Sequence, residues 1–270
     1  MSGLLGASVS IAAKTGPDLP SVNDFLPNDI LFQGTPFALN RIILIRILAV
    51  LVLMVVLGIT AMRAKLIPGR WQSAIEWLLD FVANNIVYQV MGKLRGERYV
   101  PMITTVFLTI FAFNICEIIP GLNMPATATI TMPLMFAAWC FVQYWIAGIR
   151  EKGLWKYLKE ELFPAGVPIP IYILLTPIQL VELLLIRPLS LTIRLFANMM
   201  AGHIILALCL AASQWFLIDT ANKMWMPVGA LTFGAGFIMT LFEAFVDALQ
   251  AFIFAILTTA YINMSYPELD

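Results

Sequence analysis

Residues 186–210 read IRPLSLTIRLFANMMAGHIILALCL. This stretch is apolar enough to lie in a lipid bilayer, yet it contains the polar residues Arg187, Arg194, Asn198 and His203. An arginine keeps its charge at any physiological pH, and at the middle of a membrane helix it costs about 2.5 to 3.5 kcal/mol. A charge retained at that depth indicates a membrane helix with a function beyond spanning.

The composition of the chain also indicates a membrane protein. Of its 270 residues, 61% are hydrophobic and only 12% are charged, well below the charged share of a soluble domain. Because its apolar runs are continuous and do not alternate with polar residues, they favour helices over a β-barrel. We therefore predict an all-α polytopic membrane protein with about five transmembrane helices, the last two forming a long hairpin. The predicted spans are 42–62, 103–122, 129–149, 167–218 and 226–264.

Two further segments lie outside these runs. Residues 1–40 are rich in proline, glycine and aspartate and lack the order of a signal peptide. We predict that they form an irregular segment outside the bilayer, ahead of a single membrane domain at 41–270. Residues 71–95 keep apolar side chains at helical spacing, which predicts either an amphipathic helix at the inner interface or a connecting helix packed against the spans. The cysteines have no CxxC spacing, so we expect no metal site and no cofactor.

Basic residues are distributed unevenly among the loops. Six lie in the connection 63–98 and four in the connection 149–165, whereas the first 40 residues contain one lysine. The positive-inside rule therefore predicts an outside N-terminus and a cytoplasmic C-terminus. The net charge is zero, and no strongly basic surface for nucleic acid is present.

The last apolar run contains a stripe of polar side chains. Glu243, Asp247 and Gln250 follow one another at intervals of four and three residues, so they share one helix face over roughly 10 Å. On a soluble helix such a stripe would be a solvated face. In lipid it favours a water path lined by protein.

The two long runs are predicted to pack as antiparallel neighbours because the link between them is short. If Arg194 faces Gln250, then His203 and Glu243 fall at nearly the same depth, about 10 to 14 Å further outward. A histidine and a glutamate at one depth can pass a proton near neutral pH. The alternative for His203 is a single histidine satisfied by a backbone carbonyl. Nine residues turn a helix by about half a revolution, so Arg194 and His203 are expected to serve different surfaces.

Three segments of the chain resemble one family. RPLSLTIRLFANMMAGHIIL and LQAFIFAILTTAYI are similar to segments of subunit a of the F-type ATP synthase, the membrane stator beside a rotating c-ring. YVPMITTVFLTIFAFNICEIIPGLNMPATATITMPL adds Asn114, Pro120, Gly121 and Pro125 to the match. The resemblance covers about residues 75–265.

The resemblance implies roles for individual residues. Arg194 falls on the family's essential arginine, the charge barrier that faces the c-ring carboxylate, and Asn198 and Gln250 fall on its asparagine and glutamine. His203 and Glu243 occupy two positions at which the family carries one histidine and one glutamate in either order.

One position departs from the family. Many members carry a carboxylate fourteen residues before the arginine, where this chain has Leu180. Glu182 is the nearby acid that we expect to line the inner half-channel, while Asp247 joins His203 and Glu243 on the outer one.

The resemblance further implies a proton-translocating subunit without ATP chemistry of its own. Two offset half-channels would couple proton flow to rotation of the c-ring, and ATP would be made on other subunits. The implied partners are the c-ring, subunit b of the peripheral stalk, the rest of the complex and membrane lipid, in the plasma membrane of a bacterium. In the family the last two helices are strongly tilted. A break of the 226–264 run at FGAG (233–236) is equally allowed by the sequence.

Two other classes are less well supported. A self-contained ion channel or secondary transporter would use the same buried charges, but no internal repeat is visible. An intramembrane enzyme needs a nucleophile with its base, or metal ligands, and the chain has one histidine and no HExxH motif.

Overall fold

The computed structural model describes residues 29–31, 39–119, 122, 126–127, 129–163, 168–219 and 223–267. Most of the segment predicted to be irregular, 1–40, lies outside these residues. Its described part forms two short strands, β1 (Asp29–Leu31) and β2 (Leu39–Asn40), which pair antiparallel with Asp29 opposite Asn40.

The described chain is otherwise mainly helical. Its α-helices are, in order, α1 (Arg41–Met62), α2 (Arg70–Val82), α3 (Gln89–Gly96), α4 (Val100–Ile115), α5 (Thr131–Lys152), α6 (Leu154–Leu162), α7 (Ile169–Val181), α8 (Arg187–Gln214) and α9 (Met226–Met264). One π-helical segment joins α2 to α3 and another joins α7 to α8, at Ala83–Tyr88 and Glu182–Ile186 respectively.

Among the described residues, four helical units are long and apolar enough to cross a membrane. They are Arg41–Met62, Thr131–Lys152, Ile171–Asp219 and Met226–Met264, and Val100–Ile115 is a shorter apolar helix. Large apolar side chains such as Leu51 and Met54 are 55% and 68% exposed, as expected where lipid is the solvent. The predicted all-helical, polytopic membrane architecture is confirmed.

The two longest helical units pack against each other as an antiparallel hairpin through small residues. A Cβ added at Gly229 would lie 2.7 Å from Leu217 Cγ, and one added at Gly236 would lie 3.5 Å from Cys209 Cβ. Near the middle of the hairpin the backbone of Gly202 leaves no room for a Cβ beside Glu243. Within FGAG, Gly236 contacts α8 while Gly234 faces open space, and α9 is one unbroken helix of 39 residues.

The segment from α2 to α3, which lies between α1 and α4 in the chain, has one buried and one exposed face. Val82 and Ile86 are fully buried, and the Phe81 ring lies 6.2 Å from that of Phe252 on α9. Trp71 and Trp77 are 65% and 68% exposed. The segment is therefore packed against the bundle, with tryptophans of the kind that favour a membrane interface.

One end of the bundle is fixed by the C-terminal turn. We call it the basic end, because α4 begins and α5 ends there, next to the basic loops. Three hydrogen bonds hold it, from Arg95 Nη2 to the Pro267 carbonyl (3.1 Å), from Asn263 Nδ2 to the Val90 carbonyl (3.2 Å), and between the Tyr99 and Tyr266 hydroxyls (3.0 Å).

The opposite end is held by arginines of α1. Arg41 Nη2 donates to the carbonyl of Leu122 at 2.9 Å, and Arg46 Nε donates to the carbonyl of Ala126 at 2.7 Å. Asn40 caps the helix by accepting from the Ile43 N–H at 3.0 Å. These bonds join the start of α1 to the turn that follows α4.

Candidate functional site

A cluster of acids and one histidine lies where α4, α8 and α9 meet. We call it the carboxylate cluster, and it consists of Glu117, His203, Glu243 and Asp247. Glu117, just beyond the end of α4, is 3% exposed, and its Oε1 lies 2.6 Å from His203 Nδ1. Glu117 is close enough to act electrostatically on both Glu243 and Asp247. Three helices thus bring three carboxyl groups and an imidazole together.

The acids of the cluster have unused hydrogen-bonding capacity. Glu243 and Asp247 are 4% and 0% exposed, and none of their carboxyl oxygens has a hydrogen-bond partner among the described residues. Glu117 Oε2 likewise has no hydrogen-bond partner among the described residues. A buried carboxylate is costly unless a proton, water or cation satisfies it. The carboxyl oxygens of Glu243 and Asp247 are therefore open to a proton, a water molecule or a cation.

A cavity of about 120 Å³ adjoins the cluster, with Asn198, Gly202, Glu243 and Asp247 in its wall. Since a water molecule occupies about 30 Å³ of liquid, the cavity has room for a few. Asn198 therefore shares a wettable space with the two acids of α9.

His203, predicted to lie at the depth of Glu243, contacts Glu117. The sequence places His203 and Glu243 at one depth, and in the structure Glu243 lies against Gly202, next to His203 in the chain. The imidazole itself contacts Glu117. Sequence reasoning missed Glu117, although its signal was available as an acid at the end of an apolar run, three residues before Pro120.

Arg194 stands apart from this cluster. It is exposed on α8, and its guanidinium has no hydrogen bond or ion pair within the described part of the chain. Gln250 is 5% exposed, and its Nε2 has no hydrogen-bond partner among those same residues. Its neighbour in the chain, Ile193, is 49% exposed. Among the described residues, Arg194 is thus an exposed cation without a partner on a long apolar helix.

A second polar site lies at the basic end of α8. Arg187 is 7% exposed, with its Nη2 3.2 Å from Glu161 Oε2 and its Nε 3.7 Å from Glu182 Oε1. Its guanidinium carbon is 5.6 Å from the centre of the Tyr261 ring. A cavity of about 1240 Å³ reaches Glu161, Gln179, Glu182 and Arg187. Water can therefore approach Glu182 from the basic end.

The position of Glu182 follows from the sequence around it. Pro188 has no N–H to donate to the preceding turn, and the helix is wider over the π-helical segment that Glu182 begins. Glu161 was not singled out from the sequence, because it lies in the charged loop helix α6, where acids are ordinary.

Comparisons with known proteins identify the family of this chain. The family model described as ATP synthase A chain matches residues 42–263. ATP synthase subunit a of Rhodococcus erythropolis is 39% identical over 259 residues, covering 96% of this chain and 94% of the relative. The Frankia alni and Streptomyces lividans proteins of the same name are 37% and 32% identical, covering 87% and 85% of this chain and 80% of each relative. The chain therefore belongs to the ATP synthase A chain family, membrane components of the ATP synthase complex.

Proposed function

We propose that this chain conducts protons through two half-channels that meet a rotating c-ring at the exposed face of the α8–α9 hairpin. The observation that carries the proposal is the exposed guanidinium of Arg194, which has no partner among the described residues, on a long apolar helix. Such a charge costs about 2.5 to 3.5 kcal/mol in lipid. A carboxylate on a neighbouring chain would offset that cost, and family membership makes a rotor subunit the natural source.

The carboxylate cluster forms the outer half-channel in this proposal. Glu117 holds His203 next to two acids, Glu243 and Asp247, whose carboxyl oxygens have no hydrogen-bond partner among the described residues. Protons pass from the outer side through these groups and the adjoining cavity, past Asn198, towards the hairpin face. Gln250, one turn from Asp247, lies at the end of this path.

The large cavity at the basic end forms the inner half-channel. Glu182 is its proton-exchanging group, and Arg187 keeps that acid oriented. Along α8, Arg194 lies about 10 Å from Arg187 and about 14 Å from His203, at 1.5 Å per residue. It therefore separates the two access routes.

Arg194 works as an electrostatic barrier. Its fixed positive charge stabilises the ionised rotor carboxylate as that group leaves one half-channel and approaches the other. It also repels a proton that would cross directly. Lysine is a poor substitute, because burial can neutralise an ammonium group while a guanidinium stays charged. Proton flow turns the rotor, and other subunits of the bacterial plasma-membrane complex, held by the subunit b stalk, make ATP.

The test is Arg194→Ala in the assembled complex, with Arg63→Ala as the control at an exposed arginine outside the hairpin. We expect R194A to lose proton-driven ATP synthesis and ATP-driven pumping and to leak protons passively, with R63A unaffected. Proton flux in vesicles is compared at equal amounts of complex. Full coupling in R194A at normal abundance would refute the barrier.

A further inference from the structure

A second charged cavity lies at the basic end, away from both access routes. It has a volume of about 270 Å³ and lies between the first turn of α4 and the last turns of α5. Arg98 and Arg150 line it together with Gln143, Glu151 and Tyr266. It shares only Tyr266 with the larger cavity.

The two arginines of this cavity have no partner within the described chain. Neither guanidinium makes a hydrogen bond or ion pair with another described residue, and Glu151 lines the cavity without pairing with either. Arg46 and Arg187, by contrast, are bound to a backbone carbonyl and to carboxylates of their own chain. Two free guanidinium groups around one cavity favour an anion, because the planar fork of arginine matches phosphate oxygens.

The surroundings determine which anion fits. From the cavity an apolar strip runs along α5 towards the middle of the bundle, and its side chains Trp139, Val142 and Ile146 are 53%, 46% and 39% exposed. On the other side, the first turn of α4 has no side-chain cap for its backbone N–H groups, which adds partial positive charge. A ligand that satisfies the whole site has a phosphate at one end and a hydrocarbon chain at the other.

We propose that Arg98 and Arg150 bind the phosphate of an anionic phospholipid whose acyl chain lies along the exposed strip of α5. Basic cavities between membrane helices are known to hold such headgroups. The lipid fills the groove between α4 and α5 beside Tyr266, whose hydroxyl is bonded to Tyr99. It thus supports the turn that anchors α9, and this role is independent of proton conduction.

The experiment uses the complete complex in phosphatidylcholine vesicles containing a small fraction of phosphatidylglycerol with a photoactivatable acyl chain. Crosslinks are mapped by mass spectrometry to peptides that contain the α5 strip. We expect labelling of the strip in the native complex and about tenfold less in Arg98→Gln/Arg150→Gln, because two charge-assisted contacts are lost. Arg63→Gln/Arg70→Gln, with the same change of charge at exposed inner-loop positions, is the matched control and should label normally.

Further measurements identify the source of the phosphate, and a second variant controls for misfolding of the first. Glu151→Gln removes the repelling carboxylate and should increase labelling. Equal labelling by photoactivatable phosphatidylcholine, or loss of labelling when inorganic phosphate is added, would overturn an anionic lipid as the ligand. Unchanged labelling in the Arg98/Arg150 variant, or no increase in Glu151→Gln, would also overturn it.

Discussion

Glu117 and His203 lie 86 positions apart in the chain, yet Glu117 Oε1 is 2.6 Å from His203 Nδ1. The contact joins the end of α4 to the middle of α8. It leaves the second oxygen of Glu117 free of hydrogen bonds among the described residues. Glu117 can therefore orient the imidazole and still exchange a proton with a neighbour.

Glu117→Gln tests this dual role. The amide keeps an oxygen facing His203 but removes the exchangeable proton. We expect proton-driven ATP synthesis to fall roughly tenfold or more, since a positioned acid–base group contributes at least that much to proton transfer. The measurement is ATP synthesis in vesicles at equal amounts of complex, with the exposed Glu97→Gln as control. Undiminished synthesis would remove Glu117 from the path.

Glu243→Gln should separate transport from assembly. Neither oxygen of Glu243 bonds to a described residue, so the variant loses no ion pair and keeps its shape. We expect a normal amount of complex in the membrane and slowed coupled proton flow, measured by quenching of a pH-sensitive dye. A complex missing from the membrane would instead identify Glu243 as a structural residue.

Alanine substitutions at two glycines of the hairpin test how closely Glu243 packs against α8. A Cβ at Gly202 has no room beside that carboxyl group, whereas a Cβ at Gly234 meets nothing within 4 Å. We expect the Cβ of Gly202→Ala to push the Glu243 carboxyl group aside, so that this shift offsets the gain in helix propensity and the variant is less stable than Gly234→Ala. Gly234→Ala should be neutral or stabilise by up to about 1 kcal/mol through helix propensity. Thermal unfolding of the purified complex measures both, and equal stabilities would contradict the close approach.

Arg187 and Arg194 should respond differently to replacement. Arg187 is buried and paired with Glu161, so Arg187→Gln leaves a partly buried acid without its cation and should cost about 1 to 3 kcal/mol. We expect loss of assembled complex as the main effect, partly rescued by adding Glu161→Gln. Immunoblots of membranes report the abundance. Normal abundance with uncoupled transport would assign Arg187 to the barrier as well.

The orientation of the chain can be tested with single cysteines in a background without the native ones. Positions 67 and 155 are exposed next to the basic loops and should label from the cytoplasmic side, whereas positions 20 and 220 should label from outside. A membrane-impermeant maleimide on intact cells and inverted vesicles makes the measurement. Labelling of 67 and 220 from the same side would overturn the five-span topology.

The sequence indicates candidate site residues where a polar side chain in an apolar run has a high free-energy cost in lipid. Arg194 and the stripe from Glu243 to Gln250 are conspicuous because charges and amides are rare in apolar runs. Glu117 lies where its run ends, so it reads as an ordinary interfacial acid. Its contact with His203 depends on how distant helices pack, which no local pattern encodes.

For a related reason, the sequence did not determine whether α9 is broken at FGAG. Each glycine in FGAG disfavours a helix by only about 1 kcal/mol. Close packing of Gly236 against Cys209 outweighs a preference of that size. Local propensity could not choose between a broken and a continuous helix, since the deciding contacts lie on α8.

The unbroken α9 also has a mechanical consequence. A helix of 39 residues is about 58 Å long, and hydrogen bonds at Asn263 and Tyr266 clamp its final turns to α3 and α4. Near its beginning, the Gly229 carbonyl accepts from the Ser213 hydroxyl of α8 at 3.3 Å. A load applied sideways to its middle, where Glu243 and Gln250 lie, is thus shared by supports at both ends. The hairpin is held at both ends, so a sideways force displaces Glu243 and Gln250 less than it would on a helix held at one end only.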